Sequence, residues 1–314
     1  MGRKKKKISL NVFNIFFTSV KVYFLYLDKF VKYLLFPVFG QILGIIAIFT
    51  VAYLFNTNSE TLQMKIPFLA EEKNFFIVYI CCLIPFFIIF IKAFDDYIIA
   101  FSALNSVCYI TTPKKKVQDI DFKTHNSAIE RRLFPYIVLL FLFSLLSIVA
   151  IIPIFWIFIP FLILIFQVFA LEQSAGPVSS IGRSIDLVRG HYFVTLIAII
   201  LCLLLTYVLI PDLFVWAFDY FKITPFLVSP VEKFVSAFPA IDYGRINEVL
   251  KMIGSTETLN SFVLAKMLVE STIYSIFVMF TLPLRCCVFT NLYAALDIDA
   301  IGRNAQNEGD DGND

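Results

Sequence analysis

The chain has 314 residues, of which 59% are hydrophobic, 16% charged and 37 are Phe. A soluble domain carries about 25% charged and about 45–50% apolar residues, and no soluble fold of this length buries such an excess. The composition excludes an ordinary cytosolic enzyme, a disordered protein and a nucleic-acid binder, and points to an all-α integral membrane protein.

Net charge is only +2, but its distribution is uneven, with basic blocks at Arg3–Lys7 and Lys114–Lys116 and an acidic stretch over Glu308–Asp314. Residues 1–33 read as a cytoplasmic basic tail leading into an amphipathic helix over 8–33. There Asn11, Asn14, Thr18, Lys21, Asp28, Lys29 and Lys32 share an arc of about 100°, and Phe13, Phe16, Phe17, Tyr23 and Phe24 cover most of the rest. Such a helix suits the membrane interface, or packs on neighbouring spans. The first span is predicted over 34–55, with Gly40 and Gly44 set for close packing inside the chain. The second is predicted over 75–91, its helix running on past Lys92 so that Asp95 and Asp96 sit at the lipid boundary.

Residues 134–171 hold no charge across 38 positions. As one helix they would extend about 57 Å, nearly twice the hydrocarbon thickness. Pro153 is therefore expected to divide them into spans over 134–152 and 154–171, a tight hairpin. The linker from Glu172 to His191 is predicted to hold a short surface helix. It would start at Pro177, bury Val178, Ile181, Ile185 and Val188, and end before Gly190. The fifth span is expected over 192–210, closed by Pro211-Asp212. An outer insert over 211–262 should carry two short helices, one opened by a capping box at Ser229–Glu232 and one capped by Asp242 and ended by Gly254. The last span is predicted over 264–284 and bent by Pro283. The membrane domain then covers 34–298, followed by an acidic disordered tail over 299–314.

Orientation follows from Lys and Arg. With six spans and an inside N-terminus, inside segments hold 19 of the 26 basic residues. The positive-inside rule then places both termini in the cytoplasm, with a bacterial inner membrane as the expected home.

Ionisable residues inside membrane segments are the first functional candidates. The strongest group is a polar cluster of Glu172, Arg285, Asp95 and Asp96, in which Glu172 and Arg285 could pair. Asp212 and Glu270 lie near other boundaries, and Gln41 and Gln167 are the deepest neutral polar groups, each able to bond a backbone carbonyl. Lys4, Lys5, Lys6, Lys7, Lys114, Lys115 and Lys116 are candidate contacts for anionic lipid headgroups. His125 and His191 have no adjacent Cys or carboxylate pattern, and the six Cys read as inert buried thiols. No metalloprotease, Walker, nucleophile-elbow or dinucleotide motif occurs. No catalytic, metal or cofactor site is predicted, and no cofactor is expected.

The run Glu172 to Tyr192 resembles a pattern in a broad bacterial family of six-span membrane domains. That family includes the membrane domain fused to some glycerophosphodiester phosphodiesterases and its uncharacterised relatives. The matching residues are Glu172, Ser184, Leu187-Val188-Arg189-Gly190 and Tyr192, joined by Pro283 and Tyr293-Ala294-Ala295-Leu296 near the last span. The resemblance covers about residues 134–298. It implies a six-helix bundle and no chemistry of its own. The expected function is a non-catalytic membrane scaffold that binds lipids or membrane proteins, with no role for nucleic acid. The alternative is a transporter or lipid-handling protein with a cavity between spans.

Overall fold

A computed structural model describes residues 11–110, 122–149, 152–236, 243–252, 254–256 and 258–310. The basic blocks at 3–7 and 114–116 and the cap at Asp242 lie outside them. Among the described residues the fold is all helical, with no strand. Four stretches of the described residues are long and apolar enough to cross a membrane: Leu27–Phe55, Glu72–Ile91, Tyr192–Tyr220 and Ser261–Ile301.

The chain clusters into two compact units. The first holds Met1–Leu34, Tyr97–Tyr207 and Phe280–Asp314; the second holds Leu35–Asp96 and Val208–Met279. Helix α1 (Val12–Leu25) opens on Asn11, whose side chain accepts the Phe13 N–H at 3.0 Å. Helix α2 (Leu27–Thr57) follows after one residue. The break therefore falls at Tyr26, with φ −115° and ψ 17°, and not at the expected boundary of 33 and 34. Asp28 in the first turn of α2 favours that start, since a carboxylate there meets the free N–H groups.

Helix α3 (Ser59–Lys65) leads to α4 (Glu72–Ile110), which belongs to the second unit up to Asp96 and to the first from Tyr97; it carries Pro85 and continues past Lys92 as the sequence suggests. Gly44 on α2 faces α4 so closely that an added Cβ would lie 3.0 Å from Phe90 Cβ and 3.1 Å from Phe90 Cα. The small residue thus serves packing within the chain.

In the first unit, α5 (Phe122–Glu130) precedes α6 (Leu133–Val149). Past Pro153 comes a 3₁₀ segment to Phe158, then α7 (Ile159–Leu162) and α8 (Ile165–Leu171). The arms on either side of Pro153 are apolar but shorter than the four long stretches. Arg132 Nη1 donates to the Phe169 carbonyl at 2.8 Å, so the two ends of the uncharged run meet. A straight helix would hold those ends about 57 Å apart.

Helix α9 (Pro177–Val188) starts at its proline, and Gly190 beyond its end takes φ +99°, a conformation that favours glycine. Its buried face differs from the expected one. Ser180, Ser184, Leu187 and Val188 are buried, while Val178 and Ile185 face outward. The two hydroxyls are paid for by backbone acceptors: Ser180 Oγ donates to the Gly176 carbonyl at 2.8 Å and Ser184 Oγ to that of Phe161 at 2.6 Å. Their small side chains let α7 approach.

Helix α10 (Tyr192–Leu203) does not stop at Pro211. It passes through a π segment, Leu204–Leu209, into α11 (Ile210–Tyr220). The wider π turn takes up the proline's missing N–H and ring, and Pro211 becomes a first-turn residue of α11, where neither is a defect. After Lys222, at φ +58°, comes α12 (Ile223–Ser236), which contains Pro230 in its interior. The start signal is Pro225 in its first turn, not the box at Ser229–Glu232. Helix α13 (Tyr243–Met252) buries none of its residues and ends near Gly254 at φ +82°. Asn247 pins it, donating to the Leu259 carbonyl at 3.0 Å and accepting the Leu259 N–H at 2.6 Å. Val228, Val235, Ala265, Val269 and Ile273 form the second unit's core, beside a Phe214–Phe277 stack at 3.7 Å.

Helices α14 (Ser261–Phe280) and α15 (Leu282–Asp310) are divided at Thr281, just ahead of Pro283. The helix continues to Asp310, so the tail expected over 299–314 is helical for most of its length. Ala300, Ala305 and Gln306 propagate a helix already nucleated upstream.

Candidate functional site

One group of charges in the first unit gathers where α8, α9 and α15 meet. Two of these positions flank helix ends and the others lie within helices. Glu172 follows α8, Arg183 lies mid-way along α9, His191 precedes α10, and Tyr293, Asp297 and Asp299 follow one another on α15. Arg183 is the hub. Its Nε lies 3.3 Å from Glu172 Oε1 and its Nη2 2.6 Å from Asp297 Oδ1. The Tyr293 hydroxyl donates to the same Glu172 oxygen at 2.9 Å. Beside them, His191 Nε2 lies 3.0 Å from Asp299 Oδ2. Arg132 also reaches α8. Besides Phe169 it donates to the Ala175 carbonyl, and its guanidinium sits 4.0 Å over the Phe169 ring.

The electrostatics follow from the geometry. Burial alone would lower the Arg183 pKa, but the hydrogen bond and charge of Glu172, with the charge of Asp297, outweigh it and hold the pKa above the ordinary value. Arg132 is shifted the other way, because burial lowers its pKa and its acceptors are neutral carbonyls. The cluster is therefore a clasp of fixed charges joining α8, α9 and α15. Its side chains are only partly shielded from solvent, so each contact is worth less than a fully buried pair.

Of the residues singled out in the sequence, Glu172 lies in this clasp, but its basic partner is Arg183 and not Arg285. Arg285 is buried elsewhere in the same unit, its guanidinium 4.4 Å over the Tyr207 ring at the π segment. There Thr281 Oγ1 donates to the Thr206 carbonyl at 3.2 Å. Asp95 and Asp96 fall on α4 with side chains outside the described residues, as do Lys4, Lys5, Lys6, Lys7, Lys114, Lys115 and Lys116. In the second unit, Glu270 pairs with Lys266 one helical turn away at 3.6 Å, and Asp212 is exposed in the first turn of α11.

A second polar locus lies deep in the first unit. Gln167 Nε2 donates to Asn105 Oδ1 at 3.3 Å, a side-chain partner in place of the expected backbone carbonyl. Both residues are buried, and Asn105 Nδ2 and Gln167 Oε1 have no partner among the described residues. Around them, Thr290 Oγ1 lies 3.5 Å from the Asn105 carbonyl, and Cys108 Sγ lies 3.4 Å from Cys287 Sγ. Cys108, Cys202, Cys286 and Cys287 are all buried, whereas Cys81 is exposed on α4. Among the described residues no group of three or more His, Cys, Asp or Glu side chains is placed to hold a metal ion.

Sequence reasoning passed over Arg183, His191, Asp297 and Asp299 as participants. The one local signal was Asp297 and Asp299, two carboxylates close to the tyrosine of the Tyr293-Ala294-Ala295-Leu296 run. No protein-family model, no curated protein and no solved structure matches the chain.

Proposed function

We propose that this chain is a non-catalytic, six-span membrane protein that organises lipids or partner proteins in a bacterial inner membrane, with both termini in the cytoplasm. The observation that carries this reading is the clasp. Its charges are engaged in tying α8, α9 and α15 together, a structural use of ionisable groups at a membrane boundary. Arg132 supports the hairpin, because its bonds return the chain to the side on which the uncharged run began. Two shorter spans added to the four long stretches make six, and the Lys and Arg distribution then orients them. The resemblance to the six-span bacterial family agrees with that count.

Purification in mild detergent, with identification of the lipids and proteins that accompany the chain, tests the reading. A defined partner or lipid class in stoichiometric amount supports it, and the chain alone with bulk lipid counts against it. A periplasmic reporter inserted near Gly254 is expected to be active; cytoplasmic activity would overturn the orientation.

The second reading, a transporter or lipid-handling protein, is favoured by Asn105 and Gln167. A buried donor and a buried acceptor without partners among the described residues form a polar spot of the kind a translocation path uses. Substrate-dependent flux in proteoliposomes, lost in Asn105→Leu, Glu172→Gln or Arg285→Gln, would select that reading. Flux equal to that of empty vesicles would remove it.

A further inference from the structure

Helix α1 has three faces, and together they locate a lipid–water boundary. Val12, Ile15, Ser19, Val22 and Tyr23 form the buried face. It packs on the last helices of the first unit: the Tyr23 hydroxyl donates to the Phe280 carbonyl at 3.1 Å, and Asn291 Nδ2 to Ser19 Oγ at 2.8 Å. The remaining surface divides in two. Phe13, Phe17 and Phe24 share an arc of about 40°, and each is more than 60% exposed. Lys21, Asn14, Thr18 and Asn11 occupy the neighbouring arc of about 80°, where Asn11, Asn14 and Lys21 are exposed and Leu25 is the one apolar intruder.

Measured from the centre of the packed face, the opposite direction runs between the Phe ridge and the polar strip. The exposed surface of α1 is thus apolar on one flank and polar on the other, apart from Leu25. Neither a helix inside hydrocarbon nor one in bulk water satisfies both flanks. The charge is one-sided too. Residues 1–33 hold eight Lys and Arg and a single acidic residue, Asp28, while the whole chain is only +2.

We propose that α1 lies along the surface of an anionic phospholipid leaflet, its Phe ridge in the acyl boundary and Lys21 among the headgroup phosphates. This deepens the lipid-binding reading above and rests on the chain being membrane-embedded. The ridge supplies apolar area, and Lys21 supplies an attraction that grows with leaflet charge and weakens with salt.

The test uses the full chain in nanodiscs of phosphatidylcholine alone or mixed with phosphatidylglycerol. Spin labels are placed at Phe17→Cys and, separately, Lys21→Cys, in a background of Cys81→Ser and Cys82→Ser. At position 17 the label should collide with dissolved oxygen, and at position 21 with a water-soluble nickel chelate. Two oxygen-accessible labels would put α1 in hydrocarbon, two nickel-accessible labels would put it in water, and two inaccessible labels would put protein over both flanks. Each of these overturns the proposal.

The headgroup arm compares phosphatidylglycerol enrichment around the native chain with that around Lys21→Gln. An enrichment about fivefold lower at low salt is expected for removal of one basic residue at the surface. Equal enrichment overturns the headgroup assignment. Inorganic phosphate should leave both label signals unchanged, and a shift comparable to that of the lipid would point to a free-phosphate site. Failure of the labels in a chain that still inserts into nanodiscs rejects the α1 assignment alone. A chain that does not insert rejects the membrane reading with it.

Discussion

Both units contain long apolar helices, yet they bury that surface differently. In the first, Phe30, Leu34, Leu104, Leu139, Leu164 and Leu292 are sealed from solvent, and polar side chains such as Ser19, Asn105, Gln167 and Ser184 are sealed among them. In the second, the apolar stretch Glu72–Ile91 has only 6% of its most apolar window buried. Hydropathy alone does not distinguish a side chain facing lipid from one facing protein. Small and hydrogen-bonding residues do, because close helix packing in an apolar medium needs both short side chains and satisfied polar groups.

The sharpest way to break this contrast is Gly44→Leu. A branched side chain there collides with Phe90 backbone and should destabilise the second unit by about 3 kcal/mol, the upper end of overpacking costs. All four buried thiols belong to the first unit, so they report on it separately. Maleimide labelling of Gly44→Leu under mild denaturant should leave Cys108, Cys202, Cys286 and Cys287 protected while proteolysis of the second unit speeds up. Concerted exposure would show that the contrast has no energetic meaning.

Arg183→Ala should act on the other side. It removes one cation from two carboxylates and is expected to cost about 1–2 kcal/mol, discounted for the exposure of the pair. Combining it with Asp297→Asn in a double-mutant cycle should return a coupling energy, and strict additivity would show that the clasp holds nothing. The guanidinium is charged throughout the neutral range. Its raised pKa adds stability at every pH below the ordinary arginine value, so this loss should be the same at pH 6 and pH 8.

Ser184→Ala removes the bond to the Phe161 carbonyl and should cost about 1 kcal/mol, read as a lower unfolding midpoint of the first unit. The smallest change expected is a gain. Lys222→Gly relieves a side chain at φ +58° and should stabilise the second unit by about 0.5 kcal/mol; a loss would mean that the Lys222 side chain contributes more than its backbone strain.

Local chemistry was legible in the sequence and distant pairing was not. Pro177 and Gly190 bracket α9 because proline and glycine act through their own backbones. The buried face of α9 was misread for the opposite reason. Ser184 is tolerated inside only because the Phe161 carbonyl comes to it from another helix, and no hydropathy pattern encodes that meeting. Arg183 and Asp297 are 114 positions apart, so their contact exists only once α9 and α15 have docked. Pro211 reads locally as a stop, but one wide turn ahead of it was enough to carry the helix through.

That wide turn has a consequence for how this helix tolerates length changes. Along this helix the buried positions Cys202, Thr206 and Pro211 are spaced by four and then five residues, and the five-residue step spans the π segment. One surplus residue is stored there. Deleting a single position from 204–209 would regularise the hydrogen bonding yet turn everything downstream by about 100°. A chain shortened by one residue at this point would gain a better helix and lose its register.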